Sequence, residues 1–418
     1  MKINKIKYFL FNVMAVLIGA AVTSCSATFD EKKEPDPDPV EKPASRSILV
    51  YMIASNSLNG FDDNDIKEMQ KVAKEKGFGD GRLVIYHQKY ERSGLPVLKE
   101  IKSGSGTIDT LVKYDNQISS LSTDRMSKVI SDFKEHAPAD DYGIILWSHA
   151  DGWIVRNSSS SESSGKSNGG ISTLAFGQES ISNTSRYMDI TDLASVLKGK
   201  NFSFVYFDCC YMAGIEVLYE MKDVAPYMVA STIEVIAEGM PYHLTLPYFF
   251  SAGDADLIGA VNANYDYVNA KNDENRTGAF AVFDMSKINK LADATRSFYS
   301  YHPSAASDFS PQRFMYESTC YYFDFQHIIE NLNLPEGTSE TTLASFETAR
   351  KDVLAALEDA VIYKISTDYI WPGYRGQEVK LDHFCGLSSY YLTDKSKSST
   401  RGYNLTSWWN DVAKYLFE

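Results

Sequence analysis

The sequence lacks the signatures of the commoner nucleotide and metal chemistries. It has no Walker-type phosphate loop and no H-E-x-x-H pair, and its seven histidines are scattered through 418 residues. Positive charge is in deficit: 41 Lys and Arg against 55 Asp and Glu leave a formal net charge of −14. That balance argues against a nucleic-acid surface and would mildly attract basic polypeptides. Cysteines number five, few enough to consider one at a time, and no internal repeat is apparent. What the chain does have is apolar material. A hydrophobic content of 44% over this length supports a soluble globular protein of one large domain or two.

The N-terminus carries Lys2, Lys5 and Lys7, an apolar run from Tyr8 to Val22, and then Thr23, Ser24 and Cys25. The run is short for a spanning helix, so the segment reads as an export signal. Its end resembles a bacterial lipobox, which implies cleavage after Ser24 and a lipid on Cys25; an uncleaved anchor is the alternative. Ser26 to Ser45 is charged and proline-rich with almost nothing to bury, as expected of an extended tether. The bulk of the protein is therefore expected in the bacterial cell envelope, on the periplasmic side or the outer surface.

From Arg46 onward strands alternate with helices, the pattern of a mostly parallel α/β sheet. Arg46 to Ala54 reads as a strand and Asp62 to Lys76 as a helix with Ile66, Met69 and Val72 inward. Arg82 to Tyr90 and Pro96 to Ile101 read as strands. Ser122 caps a helix carrying Met126, Val129, Ile130 and Phe133, and Thr191 a helix from Asp192 to Leu197. Pro226 to Ile233 and Thr277 to Asp284 look like strands, Lys287 to Tyr301 a helix, Phe346 to Ile365 one long helix, and Cys385 to Leu392 a late strand. Tyr321, Tyr322, Tyr369, Trp371, Trp408 and Trp409 make the C-terminal part aromatic, which fits core packing or a binding groove.

The chemistry concentrates in two stretches. Phe202 to Phe207 is a buried-type strand running into helical periodicity, with Cys209 and Cys210 at the junction. A thiol at the carboxyl end of a strand and beside a helix N-terminus has its thiolate favoured by the helix dipole and free N–H groups. Asp141 to Trp153 delivers His149 to the end of a second such strand, so a base and a nucleophile can meet at one sheet edge.

These stretches resemble the clostripain family of cysteine peptidases. YMIASNSL (Tyr51–Leu58), ILWSHADGW (Ile145–Trp153), FDCCYMAGIE (Phe207–Glu216) and ASTIEVIAEGMPY (Ala230–Tyr242) match its signatures in order, and YYFDF (Tyr321–Phe325) and GLSSYYL (Gly386–Leu392) resemble its later ones more weakly. The resemblance implies a caspase-like three-layer sandwich, a mostly parallel sheet with helices on both faces, and a C-terminal α/β extension. Boundaries follow as 1–24 signal peptide, 25–45 tether, 46–311 catalytic domain and 312–418 C-terminal subdomain. It implies Cys210 as nucleophile, His149 as general base, the backbone N–H groups of Ala150 and Cys210 as oxyanion donors, and Asp208 in the pocket for an Arg or Lys side chain, with Glu238 placed by spacing as a second acid. Protein or peptide substrates with Arg or Lys before the scissile bond are expected, and a monomer without nucleic acid.

The resemblance also implies self-cleavage after Arg156 or Lys166, in the segment RNSSSSESSGKSNGG; a plain surface loop is the alternative. No cofactor is required. Ca²⁺, used by some members, is considered only for the acidic run Asp62, Asp63 and Asp65, which also suits a solvated helix start. Three positions depart from the family. Ala150 replaces a glycine, and at positive φ its Cβ would cost about 1 kcal/mol or more and turn the oxyanion donor away. Ser55 and Met240 are expected to alter the cleft rim. A catalytically impaired relative acting as a surface binding or adhesion protein is thus the alternative to a peptidase. Cys320 and Cys385 are left free to pair in an oxidising compartment.

Overall fold

In the computed structural model, which describes residues 43–90, 94–156, 172–173, 176–181, 184–315, 320–371 and 378–418, nine strands form one sheet. They are β1 (Ala44–Ile53), β2 (Arg82–Gln88), β3 (Val97–Ile101), β4 (Ile108–Lys113), β5 (Ala139–Trp147), β6 (Phe204–Asp208), β7 (Tyr227–Ser231), β8 (Ala279–Asp284) and β9 (Val361–Ser366), in the order β9-β8-β7-β6-β5-β1-β2-β3-β4. The central run β2-β1-β5-β6-β7 is parallel, and the flanking pairs are antiparallel. The fold is the caspase-like α/β sandwich.

Side-chain alternation builds the layers. On β1, Ile48, Val50 and Met52 face one core while Leu49, Tyr51 and Ile53 face the other, as a period of two requires for a strand buried on both sides. The first core is closed by helix α1 (Phe61–Glu75) and by Tyr242–Phe249 and Leu257–Asn269. The second is closed by α2 (Thr123–His136), α3 (Ile190–Leu197), α4 (Ile215–Met221), Ile288–Tyr299 and Glu340–Ala360. Ser122 caps α2 as expected, accepting from the N–H of Arg125.

Other expectations are corrected. Thr191 lies inside α3, whose flanking residue is Asp189. The supposed helix Phe346–Ile365 is a helix ending at Ala360 followed at once by β9, because the alternating Val361–Ile365 pairs with β8 as the sheet's edge. The late strand shrinks to Ser388–Ser389, paired with Phe323–Asp324. Pro43 to Glu418 form one compact unit, with the segment after 312 contributing an edge strand. Among the described residues no helix is long and apolar enough to cross a membrane. The signal segment and most of the tether, Cys25 included, lie outside the described residues, as does Lys166; of Arg156 only the backbone is described.

Candidate active site

Strands β5 and β6 are parallel neighbours with Trp147 opposite Asp208, so His149 and Cys210 each follow the matching strand end by the same offset. The switch in strand order falls beside them, where β1 leads to β2 on one side and neighbours β5 on the other. Both residues line a cleft of about 710 Å³, with Ser57 at its edge from the loop after β1.

The thiol of Cys210 is half-buried and accepts from the N–H of Val235 at 3.3 Å. Cys209 points into the core toward the Leu146 carbonyl at 3.7 Å, which leaves Cys210 as the more accessible thiol. The expected thiolate stabilisation by a helix N-terminus is not found. The chain crosses from β6 to α4 through an irregular turn, Gly214 is still extended, and the helix begins only at Ile215. Burial instead pushes the Cys210 thiol up to about 12, reinforced by the carboxylates of Glu234, Asp151 and Asp208 against the Val235 N–H. Burial also holds the His149 imidazole below its ordinary value. The imidazole Nε2 is hydrogen-bonded at 2.8 Å to Ser57 Oγ.

Asp208 lies beneath the cleft, on the face shared by Trp147 and Tyr242. Its carboxylate accepts from the Met240 N–H at 2.9 Å and the Tyr242 hydroxyl at 3.1 Å, without a cationic partner among the described residues. Gly239 allows this: its φ is +65°, and a Cβ there would sit 3.0 Å from Asp208 Oδ2. Burial raises the Asp208 carboxyl to about 7. The cleft lining also includes Asp151, Glu234 and Glu274 and has no Lys or Arg among the described residues. Glu238 is not in the lining; its carboxylate is 3.5 Å from Lys271 Nζ.

The departures from the family pattern take a different place from the one expected. Ala150 lines the cleft without a positive φ; in its loop the left-handed residue is Gly152, at +61°. Ser55 and Met240 have fully buried side chains and do not form the rim. Ser55 donates to the Ser180 carbonyl. The acidic run on α1 is dispersed: Asp62 bonds His87 Nε2 at 2.6 Å, Asp63 pairs with Lys89 at 2.8 Å, and Asp65 accepts from Trp147 Nε1 at 2.8 Å. The ligand atoms that do cluster are those of Asp62, Asp63 and His87. Within this set Lys89 pairs with Asp63, and Lys99 Nζ lies 2.9 Å from His87 Nδ1. Cys320 and Cys385 are both free and buried, donating to the Tyr322 and Leu387 carbonyls.

Sequence reasoning missed Ser57, Glu234 and Asp151, although each lies inside a quoted motif, because strand ends and turns give no local sign of which side chain faces a cleft. Of the aromatic residues, Tyr322 and Trp408 are core, while Trp371 lines the cleft.

A thiol and an imidazole at adjacent parallel strand ends, over an acidic hollow, define a cysteine peptidase of caspase-like fold. Residues 50–416 match the clostripain family, peptidase C11, and the chain belongs to that family. It is similar to a secreted C11 cysteine protease from Bacteroides thetaiotaomicron solved with an irreversible peptide inhibitor, with 25% identity and a TM-score of 0.73 over 88% of this chain and 99% of that one. It is similarly close to an inactive zymogen C11 protease from Parabacteroides distasonis, with 25% identity and a TM-score of 0.71 over 90% and 99%. No curated protein matches it.

Proposed function

We propose that the protein is a lipid-anchored endopeptidase that cleaves peptide bonds after Arg or Lys. The observation that carries this reading is the buried carboxylate of Asp208, with no cationic partner among the described residues, under a cleft that also holds His149 and Cys210. A guanidinium or ammonium entering the hollow would find a desolvated acid, whereas a neutral or acidic side chain would leave that acid unpaired. With substrate bound, the imidazole turns from Ser57 to the thiol and takes its proton. The sulfur attacks the scissile carbonyl, and the N–H groups of Ala150 and Cys210 hold the oxyanion. The imidazolium then gives its proton to the leaving amine, and water, deprotonated by His149, releases the acid and restores the thiol.

The impaired-relative alternative loses support, since Ala150 is not in the left-handed region and Ser55 and Met240 do not shape the rim. Self-cleavage after Arg156 or Lys166 is part of the proposal, and the description of a relative as an inactive zymogen agrees with it. So is acylation of Cys25, which fatty-acid labelling lost in Cys25→Ser would support. The central test uses fluorogenic peptides with Arg, Lys or Asp before the reporter. Wild type is expected to hydrolyse the first two and to nick its own segment between Arg156 and Gly170, and Cys210→Ala to do neither. Equal signal from the two proteins would remove the enzyme reading, and preference for Asp would remove the role of Asp208.

A further inference from the structure

Tyr322 packs behind the cleft from a late segment, far in sequence from both catalytic candidates. Its ring stacks on Tyr211, the residue after Cys210, with centroids 4.4 Å apart and planes 9° from parallel. Its hydroxyl donates to the carbonyl of Asp151, two residues after His149, at 2.5 Å. The two loops it touches are themselves unusual. Tyr211 adopts φ +59°, a left-handed conformation that a non-glycine residue keeps only when its surroundings hold it there. Gly152 is at +61°, and a Cβ on it would lie 2.8 Å from the Tyr211 carbonyl oxygen and 3.2 Å from the Tyr322 hydroxyl, so the His149 loop and the Cys210 turn are in direct contact under this one ring. Tyr322 is itself fully buried, and its carbonyl accepts from the N–H of Phe314 and from the Cys320 thiol, which anchors it from behind.

We infer that Tyr322 is a positioning residue that sets the spacing of His149 and Cys210, by stacking on the nucleophile turn and hydrogen-bonding the histidine loop. It touches no reacting atom. The inference rests on the peptidase reading above, because what it positions is the proposed dyad. Proton transfer from thiol to imidazole depends steeply on their separation, and the resting imidazole is held by Ser57, so small displacements of either loop would fall on the chemical step while leaving the Asp208 hollow intact.

The test compares Tyr322→Phe, which keeps the stack and loses the hydroxyl, with Tyr322→Leu, which loses both, using an Arg fluorogenic peptide and thermal unfolding. Tyr322→Phe is expected to lower kcat about tenfold with KM little changed, and Tyr322→Leu on the order of a hundredfold. Phe should thus recover part of what Leu loses. A Phe variant with wild-type kcat overturns the inference, as does a loss shared equally by kcat and KM. Should the Leu variant fail to fold, the Phe variant alone decides, since it retains the packing. Wild-type protein without Cys210-dependent hydrolysis would instead refute the peptidase reading.

Discussion

Asp208 sits where the sheet's alternation puts it, on the face of Phe204 and Tyr206, and burial there raises its carboxyl to about 7 against the opposing hydrogen bonds from Tyr242 and Met240. Below that pH Asp208 is largely protonated, and above it Asp208 is anionic. KM for an Arg or Lys peptide is therefore expected to fall as pH rises through neutrality. In Asp208→Asn the KM should be higher and lose that dependence, as steady-state kinetics across the range would show; an unchanged KM profile would rule out the assignment. The stability linkage has a definite sign as well. A folded pKa above the ordinary value contributes stability below the carboxylate range and loses it as pH rises through about 7, so the Asn variant should gain on wild type at alkaline pH.

At the scale of elements, the ends of β5 and β6 have to place two loops against each other. Gly152 is where they meet, and both its φ and its contact with the Tyr211 carbonyl exclude a side chain. Gly199, after α3, also has a positive φ, of +72°, but nothing lies within 4 Å of where its Cβ would be. Gly199→Ala should cost only the left-handed penalty of about 1–2 kcal/mol. Gly152→Ala should cost more and reduce turnover too, and equal losses of thermal stability in the two variants would contradict the packing described. The α4 helix shows why local patterns misled about the thiol. Met212 and Ile215 fit one helical face, yet Gly214 is extended and the dipole begins past the place where it was expected to act.

For the molecule as a whole, Glu216 ties the helix after Cys210 to the late GLSSYYL segment. Its Oε1 accepts from the Tyr390 N–H at 2.9 Å and the Ser389 hydroxyl at 3.2 Å, and burial raises its carboxyl to about 7. By the same sign, the stability it contributes is present at low pH and lost as pH rises through about 7. Replacement by Gln keeps an acceptor and removes the titration. The Tm difference between Glu216→Gln and wild type should therefore shift in favour of the variant from mildly acid to alkaline pH, and a pH-independent difference would count against this role.

The alternation of strands and helices, the cores' inward positions on α1 and α2, and the order of the motifs bearing His149, Cys210 and Asp208 were legible in the chain, because periodicity and turn chemistry are local properties. Residues such as Ile66, Met69 and Phe133 announce a buried face by spacing alone. The direction of β8, the conversion of Val361–Ser366 into an edge strand, the raised pKa of the Cys210 thiol and the partners Ser57, Asp65 and Tyr322 were decided only by tertiary structure. Each depends on which distant segment lies alongside, as when Asp65 meets Trp147 or Tyr242 meets Asp208, and desolvation is set by everything packed around a group at once.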